Sequence, residues 1–380
     1  MVGQEQGARD RAVQQLAAEL DALPRSETPP RAKLSVRDLR KTYGPVTALE
    51  AASLDLAEGE FLTLLGPSGS GKTTLLMLIA GLAQPSGGEI WIDGKLATYA
   101  PPNKRDIGVV FQNYALFPHL TIAENIAFPL RMRRMPAARI QQEVARVLDV
   151  VQLPHVAGRL PRELSGGQQQ RIALARCIVY GPSIILMDEP LGALDRKLRD
   201  QMQMEIKRLH DRLGITILYV THDQDEALTM SDRICLMNGG RIEQIGTPHD
   251  LYFRPATRFA ADFLGESNIM AARAEGDVLR LASGAAIRAE AAPAAGDVTV
   301  VVRPENLRLL APGETAENVL EGTLRDFVFV GGVSRSFISL PGGGELVVKQ
   351  LTRRGDQGPA PGAPVRAGWD AAHTIVLRGS

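Results

Sequence analysis

Residues 66–73 form a glycine-rich run whose residue types suit phosphate binding. The run reads Gly66-Pro67-Ser68-Gly69-Ser70-Gly71-Lys72-Thr73 and fits the pattern GxxxxGK[ST]. Glycines let backbone N–H groups close around phosphate oxygens, and the start of the following helix adds positive potential. Lys72 would contact the β- and γ-phosphates of a nucleotide, and Thr73 would offer its hydroxyl to Mg²⁺. With Thr74, these residues form the predicted phosphate-binding loop.

Two acidic residues follow a short apolar run. Residues 183–187 are predicted to form a strand that ends at Asp188-Glu189-Pro190. Open α/β sheets place their ligands at the carboxyl ends of strands. Asp188 could bind Mg²⁺ directly or through water, and Glu189, on the opposite side of the strand's alternation, could face an attacking water. Alone, either carboxylate could simply cap a helix, but the phosphate-binding loop favours the catalytic interpretation.

A third group of residues precedes a predicted helix. The run Ser165-Gly166-Gly167-Gln168 opens a helical pattern that continues through Ile178. The free N–H groups at a helix start form an anion site. Taken by itself, however, Ser165 is an ordinary helix-capping serine.

The order of these motifs resembles that of ABC ATPases. The run Leu164-Ser165-Gly166-Gly167-Gln168 matches their signature motif, between a phosphate-binding loop and an Asp-Glu strand. Four further positions match other motifs of the family: Tyr43 the aromatic residue that stacks on adenine, Gln112 the Q-loop, Asp195 the D-loop and His222 the switch histidine. The resemblance covers residues 34–245.

This resemblance implies how the motifs would work together. Lys72, Glu189 and His222 would be catalytic, with ATP and Mg²⁺ as cofactors. Thr73, Gln112 and Asp188 would lie on the metal. The signature residues 165–168 and Asp195 would act in trans, on the nucleotide held by the second subunit of a homodimer. The chain would therefore be an ATP hydrolase whose catalytic unit is a dimer.

A second, looser resemblance covers the C-terminal part. Residues 263–268 and 302–306 are similar to the regulatory domain of maltose-type and polyamine-type importers, and residues 329–332 and 365–370 look most like spermidine/putrescine importer subunits. The implied partners are two transmembrane permease subunits and, through them, an extracytoplasmic solute-binding protein. The chain would lie peripherally on the cytoplasmic face of the inner membrane. Iron(III), sulfate, glycerol phosphate or a sugar are alternative solutes.

Charge and composition argue against a different class, an ABC ATPase that acts on nucleic acid. Lys plus Arg and Asp plus Glu both number 43, so no overall field attracts a polyanion. Residues 271–380 carry 12 basic, 12 acidic and four aromatic residues, which is not the composition of a nucleic-acid-binding face. No tandem cassette or zinc-binding cysteine pattern is present. Cys177 and Cys235 lie in apolar runs and are predicted to be buried free thiols.

The elements that position these residues can also be predicted. Short apolar runs alternate with helical patterns over residues 34–245, which indicates an α/β fold with a largely parallel sheet. The resemblance to ABC ATPases implies that this fold is a P-loop NTPase (RecA-like) core. Residues 113–180 read as an inserted helical subdomain, and Asn238-Gly239-Gly240 predicts a hairpin. Residues 1–33 are predicted to be a short helix or disordered, and 246–270 a connector. Short strands over 271–380 predict a small β-barrel or sandwich. The resemblance to importer regulatory domains implies that it is an all-β, barrel-like (OB/TOBE-type) domain.

One aromatic segment has two interpretations. Residues 113–120 hold Tyr114, Phe117 and a proline within a chain that is only 5% aromatic. The segment could be core packing or a docking surface. Because members of the resembled family receive a membrane partner near the Q-loop, docking is the favoured hypothesis.

Overall fold

The computed structural model describes residues 32–192, 194–291, 293–352 and 358–378. The predicted N-terminal helix therefore lies outside the described residues. The first strand already begins at Ala32, so the last two residues of the segment assigned as an extension belong to a sheet.

An antiparallel sheet forms the first layer. Its strands are β1 (Ala32–Tyr43), β2 (Val46–Ala57), β4 (Gly87–Ile92) and β5 (Lys95–Leu96), in the order β2-β1-β4-β5. Alternating side chains of β1, including Leu34 and Val36, are fully buried while their neighbours are more accessible, which is the pattern of a sheet with one covered face.

The second sheet is central and mostly parallel. Its strands are β3 (Phe61–Leu65), β6 (Ile107–Val110), β7 (Ile184–Asp188), β8 (Ile217–Thr221), β9 (Arg233–Asn238) and β10 (Arg241–Gly246). They lie in the order β10-β9-β3-β8-β7-β6, with only β10 antiparallel to its neighbour. Every residue of β3 and β8 is buried, because both faces of a parallel sheet are covered. Gly239 and Gly240 close the predicted β9–β10 hairpin.

Helices cover both faces of the central sheet. They are α1 (Lys72–Ala80), α2 (Ile122–Met132), α3 (Ala137–Val150), α4 (Gly166–Ile178), α5 (Arg196–Leu213) and α6 (Gln224–Met230). On one face α1 packs between the sheet and the antiparallel layer. On the other, α2, α3, α4 and α5 share a core with the strands. The helical character predicted for residues 113–180 thus comes from α2, α3 and α4.

The C-terminal part is a pair of antiparallel sheets. After two short helices, α7 (Pro248–Phe253) and α8 (Arg258–Phe263), the first sheet has the order β13-β12-β11-β14-β20 and the second β15-β19-β16-β17-β18. The strands are β11 (Asn268–Glu275), β12 (Val278–Leu281), β13 (Ala286–Ile287), β14 (Ala295–Val302), β15 (Arg308–Leu309), β16 (Asn318–Val330), β17 (Val333–Ser339), β18 (Glu345–Leu351), β19 (Pro364–Trp369) and β20 (Ile375–Arg378). One core, centred on the buried Trp369, joins both sheets. The first strand begins at Asn268, three residues before the assigned boundary.

The predicted fold class is confirmed: an α/β P-loop core with an inserted helical subdomain, followed by an all-β domain. Both cysteines are buried free thiols, as predicted, and burial raises the pKa of Cys177 and Cys235 to about 12. Within the described ranges, no helix combines the length and apolar character needed to cross a membrane.

Candidate nucleotide site

The strand order of the central sheet brings the predicted motifs together. Strands β3, β8, β7 and β6 are consecutive neighbours, and the residues that follow their carboxyl ends are Gly66, His222, Glu189 and Phe111-Gln112. Because the strands are parallel, these ends meet at one edge of the sheet. Residues far apart in sequence therefore lie in a row along a single cleft edge.

Glycines shape the phosphate-binding loop. A Cβ on Gly66 would clash with the Met237 carbonyl oxygen, and a Cβ on Gly71 would lie 2.7 Å from the Ala48 carbonyl oxygen. Gly71 also has a φ of +97°, which favours glycine, and it immediately precedes α1. Ser68 and Gly69 are exposed at the tip of the loop. The backbone is thus packed closely from behind and open at its tip.

Lys72 places a buried positive charge inside this loop. Its side chain is only 5% exposed, and Nζ donates to the carbonyl oxygens of Gly66 (2.8 Å) and Pro67 (2.9 Å). A weaker hydrogen bond reaches Ser70 Oγ at 3.4 Å. Burial lowers the pKa of Lys72, against the opposing effect of the two carboxylates at positions 188 and 189. Lys72 therefore holds a buried positive charge within the loop, of the sign that would pair with a nucleotide phosphate.

Thr73 and Asp188 converge beside the loop. Thr73 Oγ1 donates to Asp188 Oδ1 at 3.2 Å. Burial raises the pKa of Asp188, although Thr73 and Lys72 oppose the shift. A hydroxyl and a carboxylate are the hard oxygen ligands that Mg²⁺ prefers, and this ion usually completes its shell with water and phosphate oxygens. The residues therefore fit a magnesium nucleotide, although the described chain holds no cluster of three or more His, Cys, Asp or Glu side chains around a metal position.

Glu189 and His222 form the next contact along the edge. His222 Nδ1 lies 3.1 Å from Glu189 Oε2, and the histidine side chain is 56% exposed. Strand β7 ends at Asp188, and Glu189 has a φ of +45°, a conformation that is uncommon for residues other than glycine. The prediction that strand alternation orients the Glu189 carboxylate is therefore wrong. The left-handed backbone at Glu189, not continued strand pleating, directs its carboxylate to His222.

Gln112 lies on the same side of the site. Its side chain is exposed, and both Gln112 Nε2 and Glu189 Oε2 lie within 4 Å of the position that a Cβ on Gly192 would occupy. The amide is thus close to the carboxylate predicted to face the attacking water.

The signature residues lie at the start of α4. Ser165 caps α4: its Oγ accepts from Gln168 N at 3.4 Å, and Gln168 Oε1 accepts from Ser165 N at 3.0 Å. Ser165 and Gly166 are exposed, whereas a Cβ on Gly167 would meet Leu198 at 3.0 Å. Within the described residues, no hydrogen bond or ion pair joins Ser165 to residues 66–74. The anion site at this helix start therefore faces outward.

Tyr43, Thr74 and Asp195 are the remaining predicted site residues. Tyr43 ends β1 with 52% of its surface exposed, and Lys41 Nζ lies 4.6 Å from its ring centre. Thr74 is half-buried on α1. Asp195 caps α5 by accepting from Leu198 N at 3.0 Å; its neighbour Ala193 lies outside the described residues. An exposed aromatic ring such as Tyr43 is available for stacking.

Sequence reasoning missed a buried acid beneath the switch histidine. Glu226 is 3% exposed and accepts hydrogen bonds from Thr221 Oγ1 (2.7 Å) and Tyr219 Oη (2.8 Å). Burial raises the pKa of Glu226 despite these donors. Its only sequence signal is an acid four residues after His222, which is equally typical of a solvated first helical turn.

Comparison with known proteins decides the family. The ABC transporter family model matches residues 49–192, and a TOBE domain model matches residues 300–377. A spermidine/putrescine import ATP-binding protein from Rubrobacter xylanophilus is 46% identical over 354 residues, covering 90% of this chain and 93% of that protein. The chain belongs to the ABC transporter family. This ABC ATPase therefore carries a nucleotide-binding site, as its motifs predicted.

Other relatives match this chain over a similar share of its length. A protein of the same name from Thermobifida fusca is 46% identical, and the alignment covers 91% of this ABC ATPase and 94% of that protein. An Escherichia coli K12 relative, named an uncharacterized ABC transporter ATP-binding protein, is 44% identical with 90% and 96% coverage. The resemblance to ATP-binding subunits of polyamine-type transporters is thus confirmed.

Solved structures resemble the first domain. CbiO1 from Clostridium perfringens, described as part of an ABC transporter complex, gives a TM-score of 0.55 at 29% identity and covers 58% of this chain and 90% of its own. The dimeric ABC transporter cassette MJ0796 gives 0.51 at 35% identity, with 57% and 98% coverage. The matched share corresponds to one ATPase domain without the C-terminal sheets.

Proposed function

We propose that this chain is the ATP-hydrolysing subunit of a bacterial ABC importer for spermidine or putrescine. The observation that supports hydrolysis most directly is the 3.1 Å contact between Glu189 Oε2 and His222 Nδ1 beside the Thr73–Asp188 pair. A positioned base next to a phosphate-binding loop is the arrangement that phosphoryl transfer to water requires.

The proposed mechanism relies on positioning and charge. Tyr43 would stack on adenine, residues 66–74 would surround the phosphates, and Lys72 would neutralise charge on the β- and γ-phosphates. Mg²⁺, held by Thr73, Asp188 and Gln112 with the phosphates, would supply further charge neutralisation. Glu189 would orient and deprotonate the attacking water, while His222 fixes the Glu189 carboxylate.

The catalytic unit would be a homodimer. The exposed helix start at residues 165–168 has the N–H groups to bind a γ-phosphate, and within the described residues Ser165 forms no hydrogen bond or ion pair with its own phosphate-binding loop. In a dimer it would close on the nucleotide of the partner subunit, with Asp195 at the interface. The dimeric form of the related cassette MJ0796 supports this arrangement.

A groove beside the Q-loop would receive the membrane partner. Its volume is about 370 Å³, and its lining is Val109, Phe111, Ala115, Phe117, Phe128, Pro129, Arg176, Cys177 and Tyr180. The apolar lining next to Gln112 suits one short helix. In a homodimer with two such grooves, each of the two transmembrane permease subunits would supply one helix. The ATPase would then be peripheral on the cytoplasmic face of the inner membrane, and an extracytoplasmic solute-binding protein would deliver solute to the permease.

The polyamine assignment rests on the names of relatives. Proteins about 45% identical over nine-tenths of this chain are named for spermidine/putrescine import. The solute itself would be bound by the permease and the binding protein. Iron(III), sulfate, glycerol phosphate and sugars are the competing solutes, and the balanced charge of the chain gives no support to a nucleic-acid substrate.

The test is substrate-stimulated ATPase activity of the complex in liposomes, with its permease and binding protein. We expect spermidine or putrescine to stimulate hydrolysis several-fold, and sulfate, iron(III), glycerol phosphate and sugars to have no effect. Stimulation by one of these other solutes alone would reject the polyamine assignment and leave the importer ATPase standing.

The matched variant in this assay is Glu189→Gln. The amide keeps the shape of the carboxylate but cannot accept a proton, so we expect ATP binding to persist, turnover to fall by about 100-fold or more, and a closed dimer to accumulate with ATP. Near-normal hydrolysis by this variant would refute the role of Glu189 as base.

A further inference from the structure

One side chain joins two loops of the site that are distant in sequence. Arg199, in the first turns of α5, donates from Nη2 to the Leu194 carbonyl oxygen and from Nη1 to Asp223 Oδ2, both at 3.1 Å. Its backbone N–H also donates to the Asp195 carbonyl oxygen at 2.8 Å. The guanidinium therefore connects the loop that presents Asp195 with the residue that follows His222.

His222 depends on its neighbours for its position. Its ring is more than half exposed and has Glu189 as its recorded ion-pair partner. The preceding Thr221 is held by Glu226, and Thr221 Oγ1 in turn accepts from Asp223 N at 3.0 Å. The following Asp223 is held by Arg199. The backbone on both sides of the exposed ring is thus fixed by partly or fully buried charged groups.

The Arg199 guanidinium is not fully satisfied in this arrangement. Its buried Nε has no hydrogen-bond partner among the described residues. The Glu226 carboxylate oxygen Oε1 lies 3.9 Å from this Nε. A buried unpaired donor costs free energy. A relative movement of about 1 Å would bring this pair to hydrogen-bond distance, so that one guanidinium could hold Asp223 and Glu226 together.

We propose that Arg199 is a positioning residue that transmits the placement of residues 194–195 to His222. This inference rests on the proposed function, because residues 194–195 would lie at the dimer interface. Closure of the dimer on Asp195 would move the start of α5, and the guanidinium would carry that movement to Asp223 and so to the His222–Glu189 contact. Arg199 itself would touch neither nucleotide nor water.

The first test is Arg199→Gln in the full-length protein. We expect turnover to fall roughly 10- to 100-fold, the effect of misplacing a reacting group, while affinity for a fluorescent ATP analogue changes by less than about twofold. Arg199→Lys should recover part of the rate, because an ammonium can reach Asp223 but cannot also form the fork to Leu194. The control is Arg208→Gln, an exposed position on the same helix, with unchanged turnover.

A second measurement separates positioning from general support of the fold. In a His222→Ala background, Arg199→Gln should lower the remaining turnover by less than about twofold, because residues that act as a unit are not additive. Asp223→Asn should reproduce the loss in the wild-type background, since an asparagine still caps α6 but cannot form the ion pair.

The outcomes divide cleanly. The inference is overturned if Arg199→Gln lowers turnover in the His222→Ala background by the same factor as in the wild type. It is also overturned if both Arg199→Gln and Asp223→Asn keep wild-type turnover. In either case, ATPase activity of the wild-type protein leaves the proposed function standing. If the wild-type dimer itself hydrolyses no ATP in the same assay, the proposed function fails and the inference fails with it.

Discussion

At the residue scale, Arg105 supports the C-terminal end of α1, the helix that follows the phosphate-binding loop. It is 3% exposed and donates to four carbonyl oxygens, those of Leu78 and Ile79 (each 2.7 Å), Ala100 (2.8 Å) and Thr98 (3.0 Å). Leu78 and Ile79 lie in the last turn of α1, where a positive charge is favourable; the Leu78 carbonyl oxygen also accepts from Gly81 N at 3.1 Å. Burial lowers the pKa of Arg105, which no carboxylate offsets. The guanidinium thus gives the last turn of the helix that begins at Lys72 the hydrogen bonds that water would give to exposed carbonyl groups.

Replacing Arg105 with methionine should destabilise the ATPase domain by about 2–4 kcal/mol, because buried carbonyl groups would be left without donors. Urea unfolding of Arg105→Met measures this loss. The matched control is Lys104→Met at the exposed neighbouring position, where we expect a change within about 0.5 kcal/mol. Equal stabilities of the two variants would show that water satisfies the α1 carbonyls instead.

At the element scale, α4 fixes the loop that leads from the Q-loop to the groove. Arg176 on this helix donates to the carbonyl oxygens of Tyr114 (2.9 Å) and Ala115 (2.7 Å). Both of these residues have a positive φ, of 60° and 47°, which costs free energy and persists only when surrounding contacts enforce it. The same guanidinium lies 5.6 Å from the centre of the Phe117 ring. Helix and loop therefore form one rigid wall of the groove.

Phe117→Ala should impair transport without impairing ATP binding. The ring packs on Phe128 with centroids 4.6 Å apart, so its removal would open the apolar wall that the permease is expected to contact. In proteoliposomes we expect polyamine uptake to fall by roughly tenfold, while ATP binding by the isolated subunit is unchanged. Tyr99→Ala, an exposed aromatic position elsewhere, serves as control. Retained coupled transport in Phe117→Ala would identify the segment as core packing alone.

At the scale of the whole molecule, Arg303 anchors the C-terminal domain to the ATPase core. It is 1% exposed and donates from Nη2 to the Tyr252 carbonyl oxygen at 2.8 Å, and from Nη1 to Ala261 O at 2.9 Å and Ser267 Oγ at 2.6 Å. Its guanidinium also lies 4.1 Å from the Tyr252 ring centre. One buried side chain of the C-terminal domain thus holds both connector helices.

The connector helices are in turn packed on the ATPase core. Leu251 and Leu264 share a cluster with Leu65 of β3 and Leu236 of β9. Beyond α8, Gly265 N donates to the side chain of Gln224, two residues after the switch histidine, at 2.8 Å. The two domains are therefore joined through a packed, hydrogen-bonded junction.

Arg303→Met should loosen this junction. Removing a buried guanidinium that serves four acceptors, the Glu266 carbonyl oxygen among them, is expected to cost about 3–5 kcal/mol, and the cost would fall on the junction more than on either core. Differential scanning calorimetry should then resolve two transitions where the wild type shows more cooperative unfolding, and proteolysis should cut first between residues 253 and 268. Arg273→Met, at an exposed strand position, should melt like the wild type. A single unchanged transition in Arg303→Met would contradict the anchoring role.

The sequence by itself indicated the family and the nucleotide-binding motifs of this ABC ATPase, because the motifs are local. Gly66 and Gly71 are needed for backbone geometry within a few residues, and Ser165 with Gln168 caps a helix that starts at the next residue. The fold class followed from runs of apolar residues. The residue roles at the nucleotide remain predictions that the variants above test.

Only the tertiary structure decided what supports that chemistry. The direction of Glu189 comes from one left-handed residue, and Arg105, Arg199 and Arg303 bind backbone carbonyl groups of other segments. Such acceptors occur at every residue, so no side-chain pattern reveals which arginine will find them. The domain edges at Ala32 and Asn268 depended on strand pairing with partners far along the chain. Contacts between distant segments form only when the sheets assemble, and local residue preferences carry no record of them.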